Sequence, residues 1–248
     1  MIKWLENTAF LPSLPLNWAG TYIGSRAAAY GVSERFAPFY GDLSDTVVSV
    51  LDGSAVLAGA APDTAEWAAF LQRAEIDTLT ADVSVAQRLA NALRLPVRGQ
   101  KVMQLGRFTV PHFPKADAPS PRDMYPVLSA VFTENLPPFD SWYVDVSHRV
   151  RHGLCHVAGI RRGEELAAVA MTVAETGNGA VLGSVATMPA YRRQGLSTAC
   201  IGSLIAAVQD ENPEKTIWII PKTDYAENFY RKLGFFACGE VGKIVFKG

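Results

Sequence analysis

The sequence predicts a mixed α/β fold in two domains, and three observations carry that expectation. Short β-branched runs separated by glycine-containing turns alternate with helical stripes of apolar residues. The alternation occurs twice, on either side of a stretch from Pro111 to Pro121 in which four of eleven residues are proline. Each proline fixes φ and removes a backbone donor, so this stretch suits an extended connector rather than a helix or sheet interior. Finally, 49% of the 248 residues are apolar and 19% charged, enough to fill a sizeable core. The expected organisation is a first domain at 1–110, a linker at 111–121 and a second domain at 122–248.

In the first half, runs at 47–51 and 55–58 flank Asp52-Gly53-Ser54, the pattern of two strands joined by a tight turn. Asp63 and Glu66 then form a capping box, and Trp67, Phe70, Leu71 and Ala74 follow at helical spacing. A strand over 76–80 leads to a second helix, with Ser84 and Gln87 as its box and Ala86, Leu89, Ala90 and Leu93 as its stripe. Residues 101–108 read as a strand. The second half opens with helices around 123–132 and 141–152, followed by strands at 156–161, 165–174 and 180–187. Gly163 and the run Thr176-Gly177-Asn178-Gly179 supply the turns between these strands, because glycine and asparagine tolerate positive φ. A helix over 196–210 with a wide apolar face, a β-branched strand at 216–220, a short helix at 226–233 stopped by Gly234 and strand material at 235–246 complete the chain. Each half thus holds a hairpin followed by alternating helices and strands, consistent with an old duplication.

Charge excludes one class of partner. Lys+Arg 23 against Asp+Glu 24 leaves a net charge of -1, and neither half carries the basic excess that nonspecific nucleic-acid binding requires. Cys155, Cys200 and Cys238 are odd in number and widely separated, without CxxC or histidine-paired spacing, so neither a disulfide framework nor a metal site is expected. Reduced thiols fit a cytoplasmic protein. Glu6, Asn7, Pro12 and Pro15 interrupt the place where a signal peptide would hold its apolar core, and no run reaches the roughly 18 apolar residues of a membrane span. The expectation is a soluble protein without a membrane or nucleic-acid partner, as a monomer or homodimer.

One segment carries chemistry: Val185-Ala186-Thr187-Met188-Pro189-Ala190-Tyr191-Arg192-Arg193-Gln194-Gly195-Leu196-Ser197, which ends a strand and opens a helix. A turn at that junction directs unpaired backbone N–H groups into one concavity, which suits a phosphate. Gly195 lets the backbone approach a ligand, Ser197 is small, and Arg192 or Arg193 can add charge-assisted contacts. Thirty-five residues beyond Gly195 stands Tyr230, within Ala226-Glu227-Asn228-Phe229-Tyr230-Arg231-Lys232-Leu233-Gly234-Phe235.

Together the two segments resemble the GNAT superfamily of N-acetyltransferases, marked by Arg/Gln-x-x-Gly-x-Gly/Ala after a strand and proline and by a later tyrosine ahead of Gly-Phe. The resemblance covers roughly residues 120–248, and 1–110 look like the degenerate half of two-domain members, including relatives of glycine N-acyltransferase. It implies the GNAT acyl-CoA N-acyltransferase fold and acetyl-CoA as co-substrate, with no metal. The amides of Arg193, Gln194, Gly195, Leu196 and Ser197 would hold the coenzyme diphosphate, with Arg192 starting the motif. Val185, Ala186 and Thr187 would hydrogen-bond the pantetheine arm, entering where this strand splays from its neighbour at 216–220. The implied reaction is direct attack by a small-molecule primary amine on the acetyl carbonyl. A backbone N–H near 185–187 would stabilise the oxyanion, and Tyr230 would protonate the departing thiolate.

Three departures stand out. Ser197 replaces glycine or alanine, Thr223 occupies a position where many members place asparagine, and the strand at 180–187 lacks the glutamate that many members use as general base. Glu175 is the first candidate base, with His156 and Ser184 through a water as others. Trp142, Tyr143 and Trp67 could line an acceptor pocket, although aromatic residues on helical stripes more often fill cores. A longer-chain amino-acid N-acyltransferase and a non-catalytic acyl-CoA-binding module are the competing readings.

Overall fold

The computed structural model describes residues 1–42, 45–108, 113–133 and 136–246. Pro111, the first proline of the expected connector, lies outside them. The elements run β1 (Lys3–Trp4), α1 (Trp18–Tyr30), β2 (Phe39–Gly41), β3 (Val47–Leu51), β4 (Ser54–Ala58), α2 (Thr64–Arg73), β5 (Thr78–Asp82), α3 (Val83–Leu93) and β6 (Val97–Leu105). They continue with α4 (Pro121–Val131), α5 (Phe139–Arg151), β7 (Val157–Arg162), β8 (Glu165–Glu175), β9 (Gly179–Thr187), α6 (Leu196–Glu211), β10 (Thr216–Ile219), α7 (Asp224–Lys232) and β11 (Phe235–Val245). The mixed α/β class is observed.

The chain forms two compact units: Met1–Met103 with Ile220–Thr223 and Ala237–Gly248, and Gln104–Ile219 with Asp224–Phe236. In the first, strands lie in the order β1-β2-β3-β4-β5-β11-β6. The pairs from β1 to β4 are antiparallel, β4 with β5 is parallel, and β5 with β11 is antiparallel. The chain's last strand is therefore inserted in this sheet, with Val241 opposite Asp82 and Ile244 opposite Leu79. Trp67, Leu71, Leu79, Leu89 and Ile244 form its core, and the Trp67 indole N–H donates to Asp42 Oδ2 at 2.8 Å.

In the second unit the order is β10-β9-β8-β7, antiparallel except for the parallel pair β9–β10. Met124, Leu128, Trp142, Val146 and Met171 bury the inner faces of α4 and α5 against β8, while α6 packs on β7, β8 and β9. Both halves of the chain repeat one order: an antiparallel three-stranded meander, a helix, a strand parallel to the third, a helix and a last strand.

Local chemistry explains where sequence patterning and structure part. The strand expected at 76–80 lies at Thr78–Asp82, and Asp82 rather than Ser84 caps α3, accepting from the Ser84 N–H at 2.9 Å and its hydroxyl at 2.7 Å. Asp63 accepts from the Glu66 N–H at 2.9 Å, but the Glu66 carboxylate turns to the Ile2 N–H at 3.0 Å, so the box is half formed. The strand expected at 101–108 begins at Val97, whose neighbours Arg98 and Gly99 are exposed and give no alternating signal. Patterning anticipated nothing before residue 47. There α1 buries Ala19, Ile23 and Ala27 on a stripe of mostly small residues, with the Asn17 side chain accepting from the Gly20 N–H at 3.0 Å.

Because β11 lies between β5 and β6, truncation after Phe236 removes an interior strand of the first unit's sheet. The truncated chain is expected to lose the near-ultraviolet circular dichroism of buried Trp67 at 25 °C. An unchanged spectrum and melting temperature would contradict this topology.

Candidate active site

The site is built from the third strand of the second unit outward. β9 pairs with β10 from Gly179–Thr216 to Leu182–Ile219, where β10 ends, while β9 runs on to Thr187. Its edge from Gly183 to Thr187 is left open on the β10 side. On the other side β8 holds it, with Val169 opposite Ala186 and Ala168 opposite Thr187. Between these pairs and Met171–Gly183, two residues of β9, Ser184 and Val185, face Ala170 alone. This is a bulge, which bends the strand and leaves its extra residue out of the ladder. Gly183 is required there, since a Cβ would stand 2.6 Å from Val173 Cγ1.

After β9 the chain makes a 3-10 turn over Pro189–Tyr191 and enters α6 through four exposed residues. Arg193 and Gly195 are both left-handed, with φ of 62° and 77°. Left-handed residues interleaved in a turn aim successive N–H groups to one side, forming a concave anion nest. Among the described residues, the backbone N–H groups of Arg193 to Thr198 donate no hydrogen bond. Among the described residues no side chain caps α6, nor α5, whereas α1, α2, α3 and α4 are capped by Asn17, Asp63, Asp82 and Ser120. A Cβ built on Gly195 would meet nothing within 4 Å. The socket is thus open and rich in donors, at the positive end of a 16-residue helix.

Three contacts hold this turn in shape. The Tyr191 hydroxyl donates to Glu165 Oε2 at 2.7 Å, and that acceptor raises the phenol's pKa. Arg192 Nε donates to the Thr187 carbonyl at 3.2 Å. The hydroxyls of Thr187 and Ser197 lie 2.6 Å apart, which engages the oxygen that distinguishes Ser197 from glycine or alanine.

A cleft of about 650 Å³ joins the open strand edge to the turn. Val185, Thr187, Arg192, Arg193, Gly195, Leu196 and Ser197 line it, together with Tyr191, Thr198, Tyr225, Phe229 and Val131. Ala186 points instead into the α4–α5 core, and Gln194 is an exposed turn residue outside the lining.

Residues 122–235 match the Acetyltransferase (GNAT) family. They form a GNAT acetyltransferase domain. No curated protein sequence matches the chain. The whole chain shares its fold with an acetyltransferase of the GNAT family from Colwellia psychrerythraea at 13% identity, with all of both chains covered and a TM-score of 0.62. A tandem GNAT protein from the clavulanic acid biosynthesis pathway is 12% identical, with 98% of each chain covered and a TM-score of 0.61. A GCN5-related N-acetyltransferase from Kribbella flavida is 17% identical, over 82% of this chain and 87% of that one, with a TM-score of 0.57.

Within the GNAT domain, Tyr230 lies on α7 with its ring packed against Phe229 and Phe235; Phe229 lines the cleft and Tyr230 does not. It is buried at 7% exposure, and burial pushes its phenol further up from the ordinary value, so it stays protonated at any working pH. Trp67 and Trp142 are core residues, while Tyr143 is half-buried, stacked on Phe139 and covered by Arg122 at 5.5 Å.

Glu175 lies outside the cleft lining. It pairs with Ala180, four residues and roughly 13 Å along β9 from the bulge. Its carboxylate accepts from Lys215 Nζ at 2.8 Å, the Thr172 hydroxyl at 2.9 Å and His156 Nδ1 at 3.0 Å, and His156 Nε2 reaches Glu211 at 3.2 Å. Burial pushes Glu175 up, but the bonds from His156, Lys215 and Thr172 outweigh it and hold the group at about 2. So acidic a carboxyl is a poor proton acceptor. With a carboxylate at each ring nitrogen, His156 is best satisfied as imidazolium, and its bond to Glu175 leads the causes raising its pKa. Both residues tie β7, β8, α6 and β10 together as an ion-pair cluster. Sequence could not find it, because the partners are 19 and 40 residues from Glu175.

The cluster sets a pH window. His156, raised above its ordinary 6.5, stabilises the fold fully below 6.5 and loses that contribution as pH rises through its folded value. Glu175, lowered from 4.5, contributes above 4.5 and loses it as pH falls toward 2. Wild type and His156→Gln should therefore differ most in melting temperature between pH 4.5 and 6.5, with the gap narrowing at alkaline pH. A gap independent of pH would contradict the charged cluster.

Proposed function

We propose that this protein is an acetyl-CoA-dependent N-acetyltransferase that acetylates a primary amine of a small molecule by direct attack. The observation that carries the reading is the open edge of β9 running into a left-handed turn whose six N–H groups, from Arg193 to Thr198, find no acceptor among the described residues. These are the two features a pantetheine diphosphate needs: a strand edge for its amides and a donor socket for its phosphates. The donor set fits the group, since Arg193 to Ser197 offer neutral amides that cost nothing to bring up to an anion and Arg192 and Arg193 add charge beside them.

Bound acetyl-CoA supplies a thioester carbonyl open to attack by a neutral amine. The residues of this chain then have separate tasks. Arg193 to Ser197 hold the diphosphate, and the free edge from Val185 to Thr187 aligns the arm as an added strand. The bulge at Ser184–Val185 offers a backbone N–H outside the ladder to the carbonyl oxygen as negative charge develops there. Tyr230 donates a hydrogen bond to the leaving sulfur. Its raised pKa keeps it protonated, a hydrogen-bond donor to the sulfur throughout. No carboxylate is assigned as base, because Glu175 is committed to its cluster.

Acetyl-CoA should raise the melting temperature, with a stabilisation of about 2.7 kcal/mol at a hundred times its Kd. Gly195→Glu should abolish that shift while the free protein still folds, since its side chain enters open space and its left-handed backbone costs about 1–2 kcal/mol. An undiminished shift in the variant would refute the socket. Tyr230→Phe keeps the packed ring and should lower kcat about 10- to 100-fold with little change in acetyl-CoA affinity; equal loss of both would argue for a structural role alone.

A further inference from the structure

We infer that the Ser184 hydroxyl is the group that orients the acceptor amine, and that the protein keeps a strained backbone at this residue for that contact. The inference rests on the acetyltransferase reading above and adds a residue to it. Ser184 has φ of 50° in the middle of a strand. Bulges whose first residue is left-handed ordinarily place glycine there, because any other residue crowds its Cβ against the following carbonyl. Gly183, one position earlier, is fixed as glycine by its contact with Val173. At 184 glycine would relieve the backbone, yet serine stands there.

The serine side chain is not explained by the fold. Ser184 is half-buried, and among the described residues its hydroxyl makes no hydrogen bond. Gly183, Ser184 and Val185 are three consecutive half-buried positions in a strand otherwise buried up to that point. They begin one residue beyond Leu182, the last residue of β9 paired with β10. Residue 184 therefore stands at the fork where the pantetheine arm would end and the thioester would begin, one position before Val185, which lines the cleft. Strain held at such a position, beside a hydroxyl that no protein group engages among the described residues, points to a contact made outside the fold.

A serine hydroxyl is far too weak a base to take a proton outright, so its task is geometric. Its oxygen accepts a hydrogen bond from the amine N–H, and this turns the nitrogen lone pair toward the carbonyl carbon. The C–N bond forms and the C–S bond breaks. The sulfur leaves with the electron pair and gains one proton, while the nitrogen releases one proton to water. No oxidant or reductant is needed.

Two full-length variants, Ser184→Gly and Ser184→Ala, separate strain from chemistry. Three readouts apply: melting temperature, acetyl-CoA affinity by calorimetry, and release of coenzyme A thiol from acetyl-CoA with a pool of primary amines or water as nucleophile. Ser184→Gly is expected to raise the melting temperature by about 2–4 °C. Both variants should bind acetyl-CoA within about twofold of wild type and release thiol at least about tenfold more slowly. Full turnover in a stabilised Ser184→Gly would overturn the inference, as would loss of acetyl-CoA binding in both variants, which would place Ser184 in the donor site. A wild-type protein that binds acetyl-CoA but releases no thiol with any nucleophile would also overturn it. Wild type that binds no acetyl-CoA would instead sink the acetyltransferase reading itself, before any variant is compared.

Discussion

The structure depends on backbone hydrogen bonds that are not made. Five residues of β9 extend past the end of β10, and six N–H groups follow at the entry to α6 without a protein acceptor among the described residues. A polar backbone group withheld from both protein and water costs more than an ordinary hydrogen bond yields, so such a run survives only where solvent or a ligand reaches it. Arg192 to Gly195 are exposed, which meets that condition. The bulge at Ser184 and the left-handed turn at Arg193 and Gly195 are the local distortions that keep these groups from pairing with neighbours.

The first unit shows what happens when the same topology closes its socket. β4 and its parallel partner also part early, pairing only as far as Val56–Thr80 while β4 continues to Ala58 and β5 to Asp82. Yet its connection to α2 is short, from Ala58 to Thr64, and the Asp63 carboxylate already accepts from the Glu66 N–H. A fixed negative charge at that helix start satisfies the donors and repels a phosphate. The repeated order of elements supports common origin of the two units, and only the second keeps the donor-rich turn.

How much of this was legible in the sequence follows from the range of the forces involved. The β3–β4 hairpin was readable because Asp52 and Gly53 accept φ of 46° and 69°, a preference local to two residues. The α6 turn was readable for the same reason, with Gly195 and Pro189 marking its ends. The bulge was not, since Ser184 has no intrinsic left-handed preference and register across three strands imposes its conformation. Glu175 looked like a base because a lone carboxylate near a strand end says nothing of the Lys215 ammonium that the fold brings to it. The insertion of β11 beside β5 was equally hidden, as Val241 and Asp82 are remote in the chain.

The central claim is that the open β9 edge and the α6 turn form one continuous seat for a diphosphate-bearing thioester. A crystal structure with acetyl-CoA bound tests it most directly. The account requires diphosphate oxygens within hydrogen-bonding distance of the amides between Arg193 and Ser197, and the pantetheine amides along Val185 to Thr187. Acetyl-CoA bound elsewhere, with that edge and turn filled by the protein's own side chains, would contradict it.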